Sequence, residues 1–324
     1  MVGDLERTEL ELLESVQSPN EFLTEVASHL IVAGGKRIRP GFTIAAATAA
    51  MGGPEPESVA TDVIMGGVSV ELVHLGSLYH DDVMDDALTR RTVESVNARW
   101  GNLKAILAGD FLLARASEIA ASLGTEVAGL LVNTIAKLCE GQIRELQDVY
   151  NIKRTEKNYY TSIEGKTAVL LATAARVGGI VAQLPSDQID TLTTFGHRYG
   201  MAFQVVDDIL DVVATSEQLG KPAGNDLVEG IYTLPVLRTL EGPRGEELRD
   251  ILGEPLTEHQ RDAARNIVRA GDGIDHALEV AKQFSDEAVE ALAPLEGTPA
   301  HVSLGAAADH LIKKVNEAAS ATVS

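Results

Sequence analysis

Apolar residues recur at three- and four-residue intervals along most of this chain, the spacing that lines one face of an α-helix. The pattern predicts helices over residues 4–16, 20–33, 39–51, 59–85, 102–123, 127–149, 157–178, 189–213 and 227–240. Further helices are expected between Thr257 and Ala270, between Ile274 and Leu292, and near the C-terminus. Breaks fall at turn-rich clusters such as Gly52-Gly53-Pro54, Gly242-Pro243-Arg244-Gly245 and Gly297-Thr298-Pro299. No alternating run bounded by hairpin turns reads as a strand. Two stretches, residues 59–80 and 201–213, are apolar on most sides, as expected of helices at the centre of a bundle. No fixed-period repeat and no low-complexity linker interrupts the chain. The reading is all-α: one large single-domain helical bundle spanning residues 1–324.

Composition agrees. Hydrophobic residues make up 45% of the chain and aromatics only 4%, with abundant Ala and Leu, which favours helix over strand. The formal net charge of −21 argues against nucleic-acid partners, because neutralising phosphates needs Lys and Arg. The sole cysteine, Cys139, excludes an internal disulfide and the usual thiolate zinc frameworks. The N-terminus has no basic segment leading into an apolar one. The longest apolar run, residues 168–184, is broken by Arg176 and glycines. No transmembrane segment is expected, and the expected location is cytoplasmic.

Chemistry enters where the two central helices end. Each carries an Asp-Asp-x-x-Asp cluster: Asp81-Asp82-Val83-Met84-Asp85 and Asp207-Asp208-Ile209-Leu210-Asp211. Residues four apart share a helix face, so Asp81 lies over Asp85 and Asp207 over Asp211. Like charges at that spacing repel, and a helix C-terminus disfavours negative charge. Two local rules broken together mark a candidate functional site. All-oxygen ligands suit a hard cation, and Mg2+ takes one or two carboxylates and completes its shell with water and substrate phosphate. The spacing does not fit a calcium loop.

Cations stand near both clusters. Arg90 and Arg91 follow the first, and Lys221 follows the second within Gly220-Lys221-Pro222-Ala223-Gly224-Asn225-Asp226. Upstream, Gly34-Gly35-Lys36-Arg37-Ile38-Arg39-Pro40 places three cations at a turn where glycines let the backbone approach a ligand. Neither this run nor Gly165-Lys166-Thr167 has Walker-loop spacing.

Taken together, these elements resemble the trans-isoprenyl diphosphate synthases, or polyprenyl synthetases. The likeness runs from Gly34 to about Pro235, carried by the Gly-Gly-Lys-Arg-x-Arg-Pro element, the His80-led first aspartate motif and its double arginine. Gly165-Lys166-Thr167-Ala168, Phe203-Gln204-x-x-Asp207-Asp208 and the Gly-Lys-Pro-x-Gly-Asn-Asp-Leu run follow in family order. The resemblance implies an isoprenoid-synthase bundle with a central active-site cavity, usually a homodimer. It implies that Lys36, Arg39, His74 and Arg91 hold the diphosphate of isopentenyl diphosphate. Arg90, Lys166, Thr167, Gln204 and Lys221 then surround the allylic diphosphate. Asp81, Asp85 and Asp207 ligate several Mg2+ ions, with Asp82, Asp208 and Asp211 as further ligands or supports. Two departures stand out: Thr92 where the family often has Gly after the double arginine, and Ile231 where many members have Lys.

The reaction so implied is head-to-tail condensation of isopentenyl diphosphate with an allylic diphosphate such as farnesyl or geranylgeranyl diphosphate. It needs charge stabilisation on the leaving diphosphate and no protein nucleophile. In the family, bulky residues four and five positions before the first motif limit product length. Here these are Ser77 and Gly76, with Val73 a turn deeper. The expected product is therefore long, as for a quinone tail, with geranylgeranyl diphosphate as the alternative. Gly76 also reads simply as a helix-packing residue. The rival functions are a terpene cyclase and a non-catalytic subunit of a heteromeric synthase. The second aspartate motif and the Gly34–Pro40 element weigh against the cyclase, and the completeness of both aspartate motifs weighs against the non-catalytic subunit.

Overall fold

The computed structural model describes residues 2–50, 58–215 and 223–320. Their regular structure is helical apart from one two-stranded ribbon. The helices are α1 Val2–Ser15, α2 Glu21–Val32, α3 Ile38–Ala47, α4 Thr61–Met84, α5 Val96–Trp100, α6 Asn102–Ser122, α7 Thr125–Gln147 and α8 Glu156–Ile163. After them come α9 Val169–Val181, α10 Ser186–Val213, α11 Asn225–Glu229, α12 Leu234–Glu241, α13 Gly245–Arg249, α14 Glu258–Arg269, α15 Gly273–Ala291 and α16 Pro299–Ser320. Among the described residues no helix is long and apolar enough to cross a membrane. Two compact units arise, one from Met1–Ala136, Leu170–Gly196 and Leu292–Leu304, the other from Lys137–Val169, His197–Ala291 and Gly305–Ser324.

The first unit is organised around α4, which packs on α1, α3 and α6. Val68, Leu72, Val73 and Leu75 have no exposed surface, which fits the all-round apolar pattern of this stretch. Burying each such side chain contributes roughly 1.5–3 kcal/mol. The α4–α6 contact is close because two glycines meet. A Cβ on Gly76 would lie 3.1 Å from the carbonyl oxygen of Gly109, and one on Gly109 would lie 2.4 Å from Nε2 of His80. Gly76 is thus bare where α6 needs the space. After α4 the chain forms a ribbon, Thr89–Arg90 paired antiparallel with Val93–Glu94. It is too short to leave a periodic signal. Its two turn residues, Arg91 and Thr92, both have positive φ (54° and 67°), the backbone of a tight two-residue hairpin turn.

In the second unit the expected helix over residues 157–178 is interrupted by a π-helical turn at Glu164–Ala168. There Gly165 and Gly141 of α7 bring two backbones together: a Cβ on Gly141 would sit 2.6 Å from the Lys166 nitrogen. The expected helix over residues 227–240 is two helices. Gly230, at φ 74°, caps α11, and Pro235 lies in the first turn of α12 after the Thr233 cap. The carbonyl of Gly230 accepts the Tyr150 N–H at 2.8 Å, which fixes the break. The expected helix over residues 39–51 ends at Ala47 and passes into a 3-10 turn, Thr48–Ala50; Met51 lies outside the described residues.

Candidate active site

The first aspartate cluster closes α4. Asp82 is fully buried, while Asp81 is half-buried and Asp85 exposed. Asp85 caps the helix, and its N–H donates to the Asp81 carbonyl at 2.9 Å. Arg90, on the ribbon, reaches back to Asp82: Nε lies 2.7 Å and Nη2 2.5 Å from Oδ1. Burial pushes the Asp82 carboxyl up, and Arg90 opposes that shift. For Arg90 itself burial disfavours the charge, but Asp82, Asp81 and Asp85 outweigh it and hold the guanidinium above its ordinary value. Along α4, His74, Ser77 and Asp81 are half-buried at helical spacing and Asp85 is exposed at the cap; Leu78, His80 and Val83 are half-buried and Met84 exposed around them.

The three cations of the Gly34–Pro40 element have different surroundings. Lys36 is exposed. Arg37 is buried in a frame of two glutamates, with Nη1 3.0 Å from Glu71 Oε1 and Nη2 2.9 Å from Glu9 Oε2. It was not among the residues the sequence singled out, and it serves the frame. Arg39 is half-buried, and burial brings its guanidinium down to about 10, with Glu71 opposing and Arg91 adding to the drop. Arg91 donates to the carbonyls of Leu30 (2.9 Å) and Gly34, tying the ribbon to the end of α2. His74 faces this cluster. Burial, then the charges of Arg39, Arg91, Arg90 and Arg37, hold it well below its usual value, so the ring is neutral at physiological pH. Lys36, Arg39, His74 and Arg91 share the first unit, and the arginines around His74 make the local field positive against the overall charge of −21. Oxygen-rich anions are what such a cluster attracts.

The second aspartate cluster occupies the last turns of α10. Asp207 is exposed, while Asp208 and Asp211 are buried. Asp208 accepts the Tyr159 hydroxyl at 2.6 Å and the Gln204 amide at 2.8 Å. Burial still lifts its carboxyl to about 7; the two hydrogen bonds pull the other way, and Asp207 and Glu145 add to the rise. Gln204 in turn accepts the Thr167 hydroxyl at 2.6 Å. Asp211 Oδ2 accepts the Asp226 N–H at 3.3 Å, and the Asp211 carbonyl accepts the Gly224 N–H at 2.9 Å. The carboxylates gather at a helix C-terminus that α14 caps with cations. Arg265 Nε donates to the Val212 carbonyl at 2.6 Å, and Arg269 donates to that of Val213 at 2.8 Å. Those arginines escaped sequence reading because they lie more than fifty residues away and match no local pattern.

Lys166, carried on the π-helical turn, pairs with the buried Glu145 of α7. Lys221 lies outside the described residues. Ile231 sits half-buried in the break between α11 and α12, its N–H bonded to the Asp226 carbonyl at 2.8 Å. Of the chain-length candidates, Ser77 is half-buried and donates to the His74 carbonyl at 2.8 Å, Val73 is fully buried, and Gly76 faces α6.

Exposure divides the aspartates into two sets: Asp81, Asp85 and Asp207 reach solvent, and Asp82, Asp208 and Asp211 are buried and held by neighbouring groups. Among the described residues no three carboxylate, imidazole or thiol groups converge to enclose a metal by themselves. The accessible donors are carboxylate oxygens, the ligand type that suits a hard divalent cation.

The polyprenyl synthetase family model matches residues 20–269. The nonaprenyl diphosphate synthase of Mycobacterium tuberculosis is 37% identical over 302 residues, covering 92% of this chain and 89% of that protein. Heptaprenyl diphosphate synthase component 2 of Geobacillus stearothermophilus is 38% identical over 303 residues, covering 93% and 92%. The crystal structure of geranylgeranyl pyrophosphate synthase from Corynebacterium glutamicum, complexed with calcium and isoprenyl diphosphate, superposes with a TM-score of 0.80 at 38% identity, covering 97% of this chain and 95% of that one.

Proposed function

This chain belongs to the polyprenyl synthetase family and is a trans-prenyl diphosphate synthase, and from that premise we propose that it elongates farnesyl or geranylgeranyl diphosphate to a long-chain polyprenyl diphosphate. The observation that carries the reading is Ser77, half-buried on α4 one turn before the half-buried Asp81, which offers no bulk to a growing apolar chain. The nonaprenyl and heptaprenyl relatives support the same direction.

In this reading Asp81, Asp85 and Asp207 would hold Mg2+. When bound, the ions supply Lewis-acid stabilisation of the leaving diphosphate. Asp82, Asp208 and Asp211 would be further ligands or, through their buried bonds, supports of the helix ends that carry the others. Arg90, Lys166, Thr167, Gln204 and Lys221 meet the allylic diphosphate. Lys36, Arg39, Arg91 and the neutral His74 hold isopentenyl diphosphate, with Arg37 and Glu71 as the frame beneath. Charges about 4 Å apart interact by roughly 4 kcal/mol at an effective dielectric of 20. Such local contacts outweigh a distant acidic surface that salt screens beyond about 10 Å. Ser77 and the residues a turn deeper would set product length.

The chain would work as a cytoplasmic homodimer and as one synthase domain over residues 1–324. An apolar stripe on α6 supports the dimer: Leu103, Ile106 and Leu107 are 79%, 39% and 65% exposed, at helical spacing. Chromatography of the dephosphorylated products, made from either primer, tests the chain-length claim. Products longer than geranylgeraniol support it, and a reaction that stops at geranylgeranyl diphosphate assigns the shorter synthase activity.

A further inference from the structure

Three hydrogen bonds in the second unit form a chain that starts from a residue with no part in the reading above. Tyr159, on α8, is 1% exposed and donates its hydroxyl to Asp208 Oδ2 at 2.6 Å. Gln204 donates its amide to the other oxygen, Oδ1, at 2.8 Å, and its own Oε1 accepts the Thr167 hydroxyl at 2.6 Å. In its ionised form Asp208 only accepts hydrogen bonds, and it has one donor on each oxygen. With Tyr159 fixed on one oxygen, Gln204 must turn its NH2 to the other, because the flipped amide would set two acceptors face to face. That orientation directs the Gln204 carbonyl at Thr167 and commits the Thr167 hydroxyl hydrogen to it. Tyr159 is thereby linked to Thr167 through Asp208 and Gln204.

Tyr159 is well placed to hold that end. Thr155 caps α8 through the Asn158 N–H at 3.2 Å, and the Arg154 guanidinium lies 5.6 Å from the Tyr159 ring centroid. Arg154 is itself anchored, donating to the Tyr232 carbonyl at 3.0 Å. A cation over the ring steadies it and strengthens the phenol as a donor.

We infer that Tyr159 is a positioning residue for the allylic side of the reaction, acting through Asp208, Gln204 and Thr167. The inference rests on the proposed prenyl elongation. Tyr159→Phe keeps the ring, its packing and the Arg154 contact, and removes only the hydroxyl. Asp208 Oδ2 would then lose its donor in a buried place, and the carboxylate would be free to shift, carrying Gln204 with it and loosening the bond to Thr167. The control is Tyr160→Phe, a neighbouring hydroxyl 3.4 Å from Glu156 Oε2 and outside the chain of bonds.

The test measures calorimetric binding of farnesyl diphosphate with Mg2+ in the absence of isopentenyl diphosphate, together with KM for both substrates and the melting temperature. For Tyr159→Phe we expect binding and KM of farnesyl diphosphate weakened about tenfold. KM of isopentenyl diphosphate should stay within about twofold, and Tyr160→Phe should match the wild type. Two results with an active wild type overturn the inference and leave the function standing: unchanged farnesyl diphosphate binding, or both KM values rising together with a lowered melting temperature. A wild-type chain that consumes no isopentenyl diphosphate with any primer overturns the function, and the inference with it.

Discussion

Arg90 turns back onto Asp82, its Nε 2.7 Å from a carboxylate that has no exposed surface. The pair joins the end of α4 to the ribbon that follows and stops Asp82 from being a lone buried charge. Truncating one partner of such a pair exposes the desolvation penalty of the other. Arg90 is about a third exposed, which reduces the effect. Arg90→Ala should lower stability by roughly 1–3 kcal/mol. It should also reduce kcat/KM for the allylic substrate about a hundredfold or more. Arg90→Lys restores the charge without the fork and should fall between. Urea unfolding and steady-state kinetics on the three proteins measure both effects.

Thr92 lies at φ 67° in the ribbon turn, a left-handed conformation that a β-branched residue adopts only under strain. Thr92→Gly should raise stability by about 0.5–1 kcal/mol despite the freer unfolded chain. Chemical denaturation resolves a change of that size. Catalysis should be unaltered, because the substitution relieves backbone strain and the Thr92 hydroxyl donates to its neighbour's carbonyl.

Gly76 and Ser77 are adjacent in sequence and separate in consequence. A Cβ on Gly76 meets the Gly109 carbonyl at 3.1 Å and Leu113 at 3.1–3.2 Å. Gly76→Ala should therefore cost about 1–3 kcal/mol by overpacking α4 against α6. Ser77→Phe adds bulk at a half-buried position of α4, and should leave the fold intact while shortening the product. Melting curves and product chromatography on both variants separate packing from length control.

The raised carboxyl of Asp208 sets a pH dependence for the metal-free protein. Its folded-state value of about 7 lies above the ordinary 3.8. A group raised on folding contributes stability that is fully present below its unfolded value and is lost as pH rises through its folded value. In EDTA this group should therefore weaken the chain between about pH 4 and 7. Asp208→Asn, permanently neutral, should flatten that slope. Urea midpoints at intervals across the range measure it.

Much of this was legible in the sequence. The two all-round apolar stretches are buried helices, and each aspartate cluster sits at the end of its helix, because periodicity and charge are local signals. Exposure also separates Asp81, Asp85 and Asp207 from Asp82, Asp208 and Asp211. What escaped was non-local or too short. Arg265 and Arg269 cap α10 from a distant helix, and Arg37 is a buried frame residue although the sequence groups it with Lys36 and Arg39 as one of three cations at a ligand-approaching turn. The π-helical turn at Lys166 and the Gly230 break inside a continuous apolar pattern depend on backbone approaches by Gly141 and Tyr150. Tyr159 gave no signal at all, since only its contact with Asp208 distinguishes it from an ordinary core tyrosine.

The most direct measurement is isopentenyl diphosphate consumption by the purified chain alone, given farnesyl diphosphate, with and without Mg2+. Elongation that requires Mg2+ and needs no second polypeptide is the predicted result. No consumption with farnesyl, geranylgeranyl or any other allylic diphosphate would contradict the account.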